Sequence, residues 1–556
     1  MNGEGNPTDI STLDPARVVT YDTTAMIVVS QLFDGLVTFD KDLHIEPWGA
    51  KSWTISPDGL TYTFTLQPNQ KFSDGVPVKA SDYAWSLNRS VDPCLGESSN
   101  AVYWALIKDA TNFHAEACSV AQPTGAIKTL AGRTIVPDDS ANTLTIKLAH
   151  PAGYFLAMLA YPWASVIEQR VVEETYPGGD HRTLLGGDGR WIDTLVVGPT
   201  SRGASGMFYL ATWNHRGGMA LKPNPNWWGR YANKRPNFTT IYYTFVNASE
   251  NPSAAFDTFK ADSSLGFTTM LPDTPDKPVT SLKNQPYYRE QPALGMSWLA
   301  FNQQQTPFDD VNARKAFCLA INREQLNQQV YQGGNIPRWD IIPPELLSYF
   351  GTPTRSDNGQ GVLGYPGVVT GIDHAPVTGD IGLAQQYWQM YLAAHDGHAP
   401  SLALNGPDPQ LRRGQLTMTL RHVWEQTFGI SIGLDALISR PITTTAPLVY
   451  IFPTAWDVEY PDPQDVMSQA VLWDGLHIGT PADALMKLAD ALPDLSQRIP
   501  LYQQAEQALI DNAVVCPLFQ LVNHYALRSW VKGDFVEDAR GLFPNDAWVS
   551  GYVARH

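Results

Sequence analysis

The chain has 556 residues, of which 43% are hydrophobic and 17% charged. This composition is sufficient for several folded domains and argues against a disordered chain. The net charge is -17, and no run of Lys or Arg is longer than two. Nucleic acid and anionic membranes attract basic surfaces, so we expect no nucleic-acid partner.

No apolar stretch approaches the roughly 18–20 residues of a membrane span. The first six residues have neither the basic nor the apolar region of a signal peptide. The composition therefore leaves two alternatives open, a cytosolic protein and a processed, exported one.

Strands and helices are predicted to alternate without a regular repeat. Strands with apolar residues at every second position are predicted at 61–66 and 143–148, and a β-branched and aromatic one at 240–246. Helical spacing of apolar residues predicts helices at 82–91, 310–320, 381–395 and 497–512, and Asn322 is predicted to cap another helix. Together with long Gly- and Pro-rich loops, this pattern indicates an α/β protein with several lobes.

The four cysteines contain no CxxC pair, which argues against a zinc ribbon or a thioredoxin-like site. Cys94 and Cys118 bracket one polar stretch, so we predict a disulfide between them, formed in an oxidising compartment. Cys318 lies in an apolar helical run and Cys516 in an apolar strand-like run. We predict that these two are inert core residues.

The sequence lacks the motifs of common enzyme classes. There is no HExxH zinc site, no GxSxG nucleophile elbow, no GKS or GKT phosphate loop, and no GxGxxG after a strand. We therefore expect a protein that is not an enzyme and needs no cofactor. Because Asp and Glu are abundant, a pair of glycosidase-like carboxylates remains an alternative.

Several segments in order along the chain resemble the family 5 extracellular solute-binding proteins, the peptide-binding subunits of ABC importers. The segments are 12–15 (TLDP), 31–36 (QLFDGL), 47–53 (PWGAKSW), 72–78 (FSDGVPV), 82–87 (DYAWSL), 213–214 (WN), 223–228 (PNPNWW), 301–302 (FN), 307–310 (PFDD), 314–323 (RKAFCLAINR), 456–463 (WDVEYPDP) and 502–518. The chain departs from the family in having only 11 residues before Thr12 and a longer insertion at 94–132.

The resemblance implies a two-lobed α/β fold of the type II periplasmic-binding-protein class with an extra third domain. The implied boundaries are domain I at 1–46, 166–293 and 520–556, domain II at 47–165, and domain III at 294–519. It also implies an extracytoplasmic monomer, periplasmic or on the cell surface, that has a lipid anchor in its precursor. Such a protein captures a short peptide between domains I and III and delivers it to the permease subunits of an ABC importer.

Other ligands and roles are compatible with the same fold. Some members of the family bind oligosaccharides, nickel complexes or haem. A cytosolic sensor with this fold would carry a DNA-binding segment at its N-terminus, and none is present.

The resemblance also implies a set of ligand-binding residues. In the family, an acidic residue in a W-x-x-D-Y pattern pairs with the peptide N-terminal ammonium, and here Glu459 takes that position. Asp457 is a second choice and Asp462 a weaker one. The remaining candidates are the pocket wall Trp456, the cleft-facing Trp298, Tyr21 and Asp22 for the peptide backbone, and Tyr103 and Trp104 from domain II. No Arg or Lys is identified for the peptide carboxylate, so the peptide length stays open.

Overall fold

The structure is a computed structural model that describes most of the chain between residues 9 and 554. The residues outside its description are 1–8, 19–21, 41–42, 96–103, 116–117, 120–121, 124–128, 178–184, 187–190, 193–201, 216, 233, 235, 247–252, 269–270, 272, 274–276, 348–368, 400–401, 406–411, 436–450, 473–479, 534–551 and 555–556. The chain forms two compact units. Unit 1 comprises Met1–Phe267, Ala491–Pro493 and Arg528–His556, and unit 2 comprises Thr268–Asp490 and Asp494–Leu527. The division into three domains stays a prediction.

Unit 1 combines short helices with small antiparallel sheets. Its helices are α1 (Thr23–Leu32), α2 (Ala80–Val91), α3 (Ala110–His114), α4 (Phe155–Leu159), α5 (Gln169–Glu174) and α6 (Ala254–Ala261). Its strands are β1 (Val37–Phe39), β2 (Ile45–Pro47), β3 (Ala50–Ile55), β4 (Thr61–Leu66), β5 (Cys118–Ser119), β6 (Gln122–Pro123), β7 (Ile135–Asp138), β8 (Thr143–Lys147), β9 (Phe208–Asn214), β10 (Gly218–Pro223), β11 (Ile241–Thr244), β19 (Val531–Lys532) and β20 (Tyr552–Val553). The two larger sheets have the strand orders β3-β4-β8-β7 and β11-β10-β9.

The core of the four-stranded sheet follows from the alternation in its sequence. Tyr62, Phe64 and Leu66 of β4 are buried, and the Thr residues between them are more exposed. Leu144 and Ile146 of β8 are buried in the same way. A strand places successive side chains on opposite faces, so these apolar residues share the covered face. The predictions for both strands are confirmed.

Unit 2 is built around one long central strand. Its helices are α7 (Val311–Leu319), α8 (Arg323–Leu326), α9 (Pro344–Leu347), α10 (Ile381–Ala394), α11 (Arg412–Phe428), α12 (Pro463–Leu472), α13 (Pro481–Asp490) and α14 (Leu495–Asp511). Its strands are β13 (Tyr288–Phe301), β14 (Ile336–Pro337), β15 (Leu402–Asn405), β16 (Ile432–Asp435), β17 (Ile451–Asp457) and β18 (Val515–Leu527), and β12 (Phe267–Thr268) precedes them at the unit boundary. β13 pairs antiparallel with β17 on one side and with β18 on the other, and β14 pairs with β18.

Residues Ala293 to Phe301 of β13 are buried without interruption. A strand covered on both faces reads as a continuous buried run rather than an alternating one, which makes β13 the inner strand of unit 2. The predicted helix cap is also confirmed, because the Asn322 side chain accepts a hydrogen bond from the Gln325 N–H at 2.9 Å. None of the helices in the described part of the chain is long and apolar enough to cross a membrane.

The structure corrects one prediction about the cysteines. Cys318 of α7 and Cys516 of β18 are fully buried, as predicted, but they form a disulfide with an S–S distance of 2.01 Å. The prediction of inert residues failed because the pairing joins positions 198 residues apart. Cys94 is buried and disulfide-bonded. The side chain of Cys118 lies outside the described residues, so its pairing with Cys94 stays a prediction.

Candidate functional site

The end of β17 brings two of the predicted ligand-binding residues to opposite faces of the sheet in unit 2. Trp456 lies opposite Met296 of β13, and Asp457 lies opposite Gly295. A Cβ atom on Gly295 would lie 2.2 Å from Asp457 Oδ1. Only a glycine at this position therefore lets the Asp457 carboxylate lie across the neighbouring strand.

Asp457 combines solvent exposure with an unfavourable environment for its charge. The residue is exposed, and desolvation by the surrounding protein raises its pKa. No side chain or backbone N–H among the described residues donates a hydrogen bond to it. A cation that reaches a carboxylate in this state stabilises its charged form.

Asp465 organises the loop that follows β17. Its Oδ2 atom accepts hydrogen bonds from Trp456 Nε1 at 2.9 Å and from the Glu459 backbone N–H at 2.8 Å. Burial and then the negative charge of Glu459 raise the pKa of Asp465 well above its usual value. The hydrogen bond from its backbone N–H to Asp465 fixes the position of Glu459, which is itself buried.

The third carboxylate of this loop is engaged by an arginine. Asp462 accepts two hydrogen bonds from Arg498 of α14, at 2.8 and 2.5 Å, and both side chains are buried. Arg498 also donates to the Tyr502 hydroxyl, which in turn donates to Asp490. This bidentate pair neutralises Asp462 and makes it a poor choice for holding a ligand.

The segment that follows β17 is acidic. The ten residues 456–465 contain four carboxylates and no Lys, Arg or His. Arg498 forms an ion pair with one of them, Asp462. An acidic segment of this kind attracts a cationic ligand more than an anionic one.

Two tryptophans of unit 2, Trp298 and Trp456, lie on one face of the sheet. Trp298 lies opposite Thr454, two residues along β13 from Met296, so it shares a face with Trp456. Trp456 is half-buried. Trp298 is 1% exposed, and its indole N–H has no acceptor among the described residues. Trp298 can therefore offer a ligand a hydrogen-bond donor rather than an open ring surface.

Asp22 and Trp104 are the two candidates of unit 1 that the structure describes, and both have structural surroundings. Asp22 caps α1 by accepting from the Ala25 N–H, and its other oxygen accepts from the Ser11 N–H, both at 3.0 Å. Trp104 is fully buried. Tyr21 and Tyr103 lie outside the described residues. The ligand contacts of these four residues stay predictions.

Sequence reasoning missed Gly295, Asp465 and Arg498. The role of Gly295 depends on the register between two strands that are about 160 residues apart, and no local pattern encodes it. Asp465 follows the W-x-x-E-Y segment closely and begins α12, where a carboxylate is common. That position is a weak signal that was available in the sequence.

Comparisons with known proteins identify relatives along most of the chain. A model of the family described as "Bacterial extracellular solute-binding proteins, family 5 Middle" matches residues 44–389. The chain is 25% identical to the oligopeptide-binding protein OppA of Bacillus subtilis, over 73% of this chain and 66% of that relative. It is 22% identical to the periplasmic oligopeptide-binding protein OppA of Salmonella typhimurium, over 95% of this chain and 88% of the relative.

Among solved structures, the unliganded open form of the periplasmic murein tripeptide binding protein MppA superimposes with a TM-score of 0.72. The two sequences are 21% identical, and the alignment covers 99% of this chain and 97% of MppA. At this identity the likeness shows the fold alone. It confirms the predicted type II periplasmic-binding-protein fold.

Proposed function

Because the chain belongs to the bacterial extracellular solute-binding proteins, family 5, we propose that it captures a short peptide outside the cytoplasm and delivers it to the permease subunits of an ABC importer. The names of its relatives support this proposal, since OppA is an oligopeptide-binding protein and MppA a murein tripeptide binding protein. In this proposal the protein acts as a monomer, its precursor carries a lipid anchor, and it breaks no bond of its ligand.

The observation that carries the proposal is the acidic segment 456–465 after β17, which contains four carboxylates and no basic residue. A peptide has a cationic N-terminal ammonium, and a buried carboxylate strongly favours such a partner. Glu459 is held in place through its backbone N–H by Asp465. We assign Glu459 as the partner of the ammonium, with the exposed Asp457 as a nearby second charge and Trp456 as the wall of a side-chain pocket.

A sugar ligand is the main competing proposal. Oligosaccharides are neutral and are held by stacking on aromatic rings and by hydrogen bonds. Trp298 and Trp456 offer such contacts, but a neutral ligand gains nothing from the acidic segment that contains Asp457 and Glu459. Nickel complexes and haem are further alternatives, and the described residues contain no group of three His, Cys, Asp or Glu side chains suited to a metal ion.

The proposal is tested by removing each half of the ion pair. The ligand is the tightest-binding member of a peptide library, in free and N-acetylated forms, and its binding to wild type and Glu459→Gln is measured by calorimetry. Each single change should weaken binding by about two to three orders of magnitude, which corresponds to roughly 3–5 kcal/mol for an unpaired buried charge. The double change should cost little more than either single change.

Glu324→Gln is the matched control, because Glu324 is an exposed acid elsewhere in unit 2 and its charge should not affect binding. Mass spectrometry of the recovered ligand should show it unchanged. If Glu459→Gln binds the free peptide as tightly as wild type does, Glu459 is not the partner of the ammonium. If no peptide in the library binds but oligosaccharides do, the peptide proposal itself is wrong.

A further inference from the structure

A cluster of polar side chains joins β13 and β18 of unit 2 to the loop before β14. The Tyr288 hydroxyl oxygen lies 2.6 Å from His524 Nδ1 and 2.8 Å from Glu290 Oε2. On the other side of the ring, His524 Nε2 lies 3.1 Å from the Gly334 carbonyl oxygen. We call Glu290, Tyr288, His524 and this carbonyl group the histidine clasp.

The three contacts of the histidine clasp require three hydrogens. A carbonyl oxygen only accepts, so Nε2 must carry a hydrogen to bind Gly334. A neutral imidazole then has no hydrogen on Nδ1 and must accept one from Tyr288. The same hydroxyl hydrogen is needed for the contact with the ionised Glu290, which also only accepts. With a neutral His524 and an ionised Glu290, the clasp is short of one hydrogen.

One additional proton completes the arrangement. When His524 is doubly protonated, Nδ1–H donates to the Tyr288 oxygen, Tyr288 donates to Glu290, and Nε2–H donates to Gly334. Every contact then has a donor and an acceptor. We propose that the histidine clasp is a proton-operated switch that holds the loop before β14 onto β13 and β18 when it has bound this proton.

The groups around the histidine clasp shift the pKa of His524 in both directions. Burial lowers the pKa of His524 below its usual value, although the hydrogen bond to Gly334 and the charges of Glu290 and Asp273 act to raise it. Lys283 lowers it, and its Nζ atom lies 3.0 Å from Glu290 Oε2. The His524 side chain is 13% exposed, so protons can reach it. Proton binding is thus set by a balance of groups on β13, β18 and the neighbouring loops.

The histidine clasp acts on the chain segment around Gly334, which leads into the short strand β14 at the edge of the sheet. Gly334 is followed by β14, which pairs with β18 at Gln520 and Phe519. When the proton leaves, one of the three contacts loses its hydrogen. If the remaining imidazole hydrogen lies on Nδ1, where it serves the contact with Tyr288, Nε2 no longer donates to the Gly334 carbonyl oxygen. The attachment of the Gly334 loop to the strands should then weaken, and the central part of β13 should not change.

NMR on the full-length protein tests the switch. The ring nitrogen shifts of His524 and the exchange protection of the Gly334 and Asn335 amides are followed from about pH 4 to 9. In wild type, protection of the two amides should fall about fivefold as His524 loses its proton, which is the effect of one hydrogen bond. The amide of Leu299, in the buried part of β13, is the internal control and should keep its protection.

Glu290→Gln separates the switch from a simple structural role. A Gln amide N–H can donate to the Tyr288 oxygen while Tyr288 donates to a neutral His524, so all contacts are satisfied without the extra proton. Protection at Gly334 should then no longer depend on pH.

Tyr288→Phe tests the contact on the other side of the ring. The midpoint of the His524 titration should move down by roughly 0.7 pH unit, because the charged ring loses one acceptor.

Two results would overturn the proposal. The first is a His524 ring whose protonation does not change in this range, or changes with no effect on Gly334. The second is a Glu290→Gln variant that loses protection with pH as wild type does.

Discussion

Each unit contains a buried aspartate whose surroundings differ in one decisive respect. In unit 1, Asp14 accepts two hydrogen bonds from Arg89, at 2.8 and 2.6 Å, and further ones from Trp191 and the Ala16 N–H. In unit 2, Asp465 accepts from Trp456 and from a backbone N–H. Asp14 is matched by a positive charge, whereas the nearest charges acting on Asp465 are the negative ones of Glu459 and Asp462.

The contrast separates a carboxylate that stabilises the fold from carboxylates that prepare a site. The charge of Asp14 is neutralised within unit 1, so a ligand has nothing to add there. The segment after β17 is acidic, and burial disfavours the charged form of Asp465 within it. A cationic ligand is attracted to such a segment, and the free energy gained appears as binding affinity rather than as stability.

The largest expected effect comes from Asp14→Asn. The amide cannot neutralise Arg89, which is 1% exposed, and its N–H atoms point toward other donors. We expect a loss of about 3–5 kcal/mol in the free energy of unfolding, as for a broken buried ion pair. Asp465→Asn should cost less than about 1 kcal/mol, since a neutral amide replaces an acid whose charged form is already disfavoured by burial. Urea denaturation at neutral pH measures both changes.

Asp257→Asn provides the control for these two variants. Asp257 forms an exposed ion pair with Lys260 at 3.1 Å, and such pairs contribute little. Its variant should unfold within about 0.5 kcal/mol of wild type. If Asp465→Asn destabilises as much as Asp14→Asn does, Asp465 carries a charge in the folded state and the contrast between the two units is wrong.

Local patterns predicted much of the fold. The spacing of apolar residues predicted α10 and α14 to within about two residues, because burial on one face of a helix is written directly in the sequence. The pattern does not predict α11, whose Gly414 and Thr residues have low helix propensity and which is stabilised by its contacts. The disulfide between Cys318 and Cys516 was missed because long-range pairing leaves no local signal.

The candidate site was predictable in part. The W-x-x-E-Y segment located Glu459, Asp457 and Trp456, because a short motif brings these residues together along the chain. The balance of charge around them depends on Arg498, which comes from a helix more than 30 residues later. Which carboxylate is already neutralised therefore follows from packing and could not be read from the motif.

Asp34 of unit 1 tests an intermediate case, a carboxylate that accepts hydrogen bonds but forms no ion pair with any residue that the structure describes. It accepts hydrogen bonds from the indole N–H groups of Trp48, Trp227 and Trp228 at 2.7–2.9 Å. Burial outweighs these bonds and raises its pKa from 3.8 to about 6. The folded state therefore binds a proton more tightly than the unfolded state does. Its contribution to stability is present below about pH 4 and is lost as the pH rises to about 6.

The size of this loss is on the order of 3 kcal/mol, since each pKa unit corresponds to about 1.4 kcal/mol. It should appear as the difference between the stability curves of wild type and Asp34→Asn over that range, because other titrating groups cancel in the difference. The carboxyl carbon shift of Asp34 in wild type gives its pKa independently. A midpoint near 4 would mean that the three indole donors compensate fully for the lost hydration.

The smallest expected effect is that of Gly295→Ala, which tests the second charge of the site. The new Cβ would lie 2.2 Å from Asp457 Oδ1 and 2.9 Å from a methyl group of Leu521. Both are ends of side chains that can rotate, so the fold should lose only about 1 kcal/mol while the Asp457 carboxylate moves away.

If Glu459 holds the peptide ammonium, the affinity of Gly295→Ala for the peptide should fall only about two- to fivefold, the value of an exposed charge. Asp457→Asn should cause the same loss, and the two changes together should cause no more than one alone. A weakening of a hundredfold or more by Gly295→Ala, with Glu459→Gln neutral, would instead make Asp457 the partner of the ammonium.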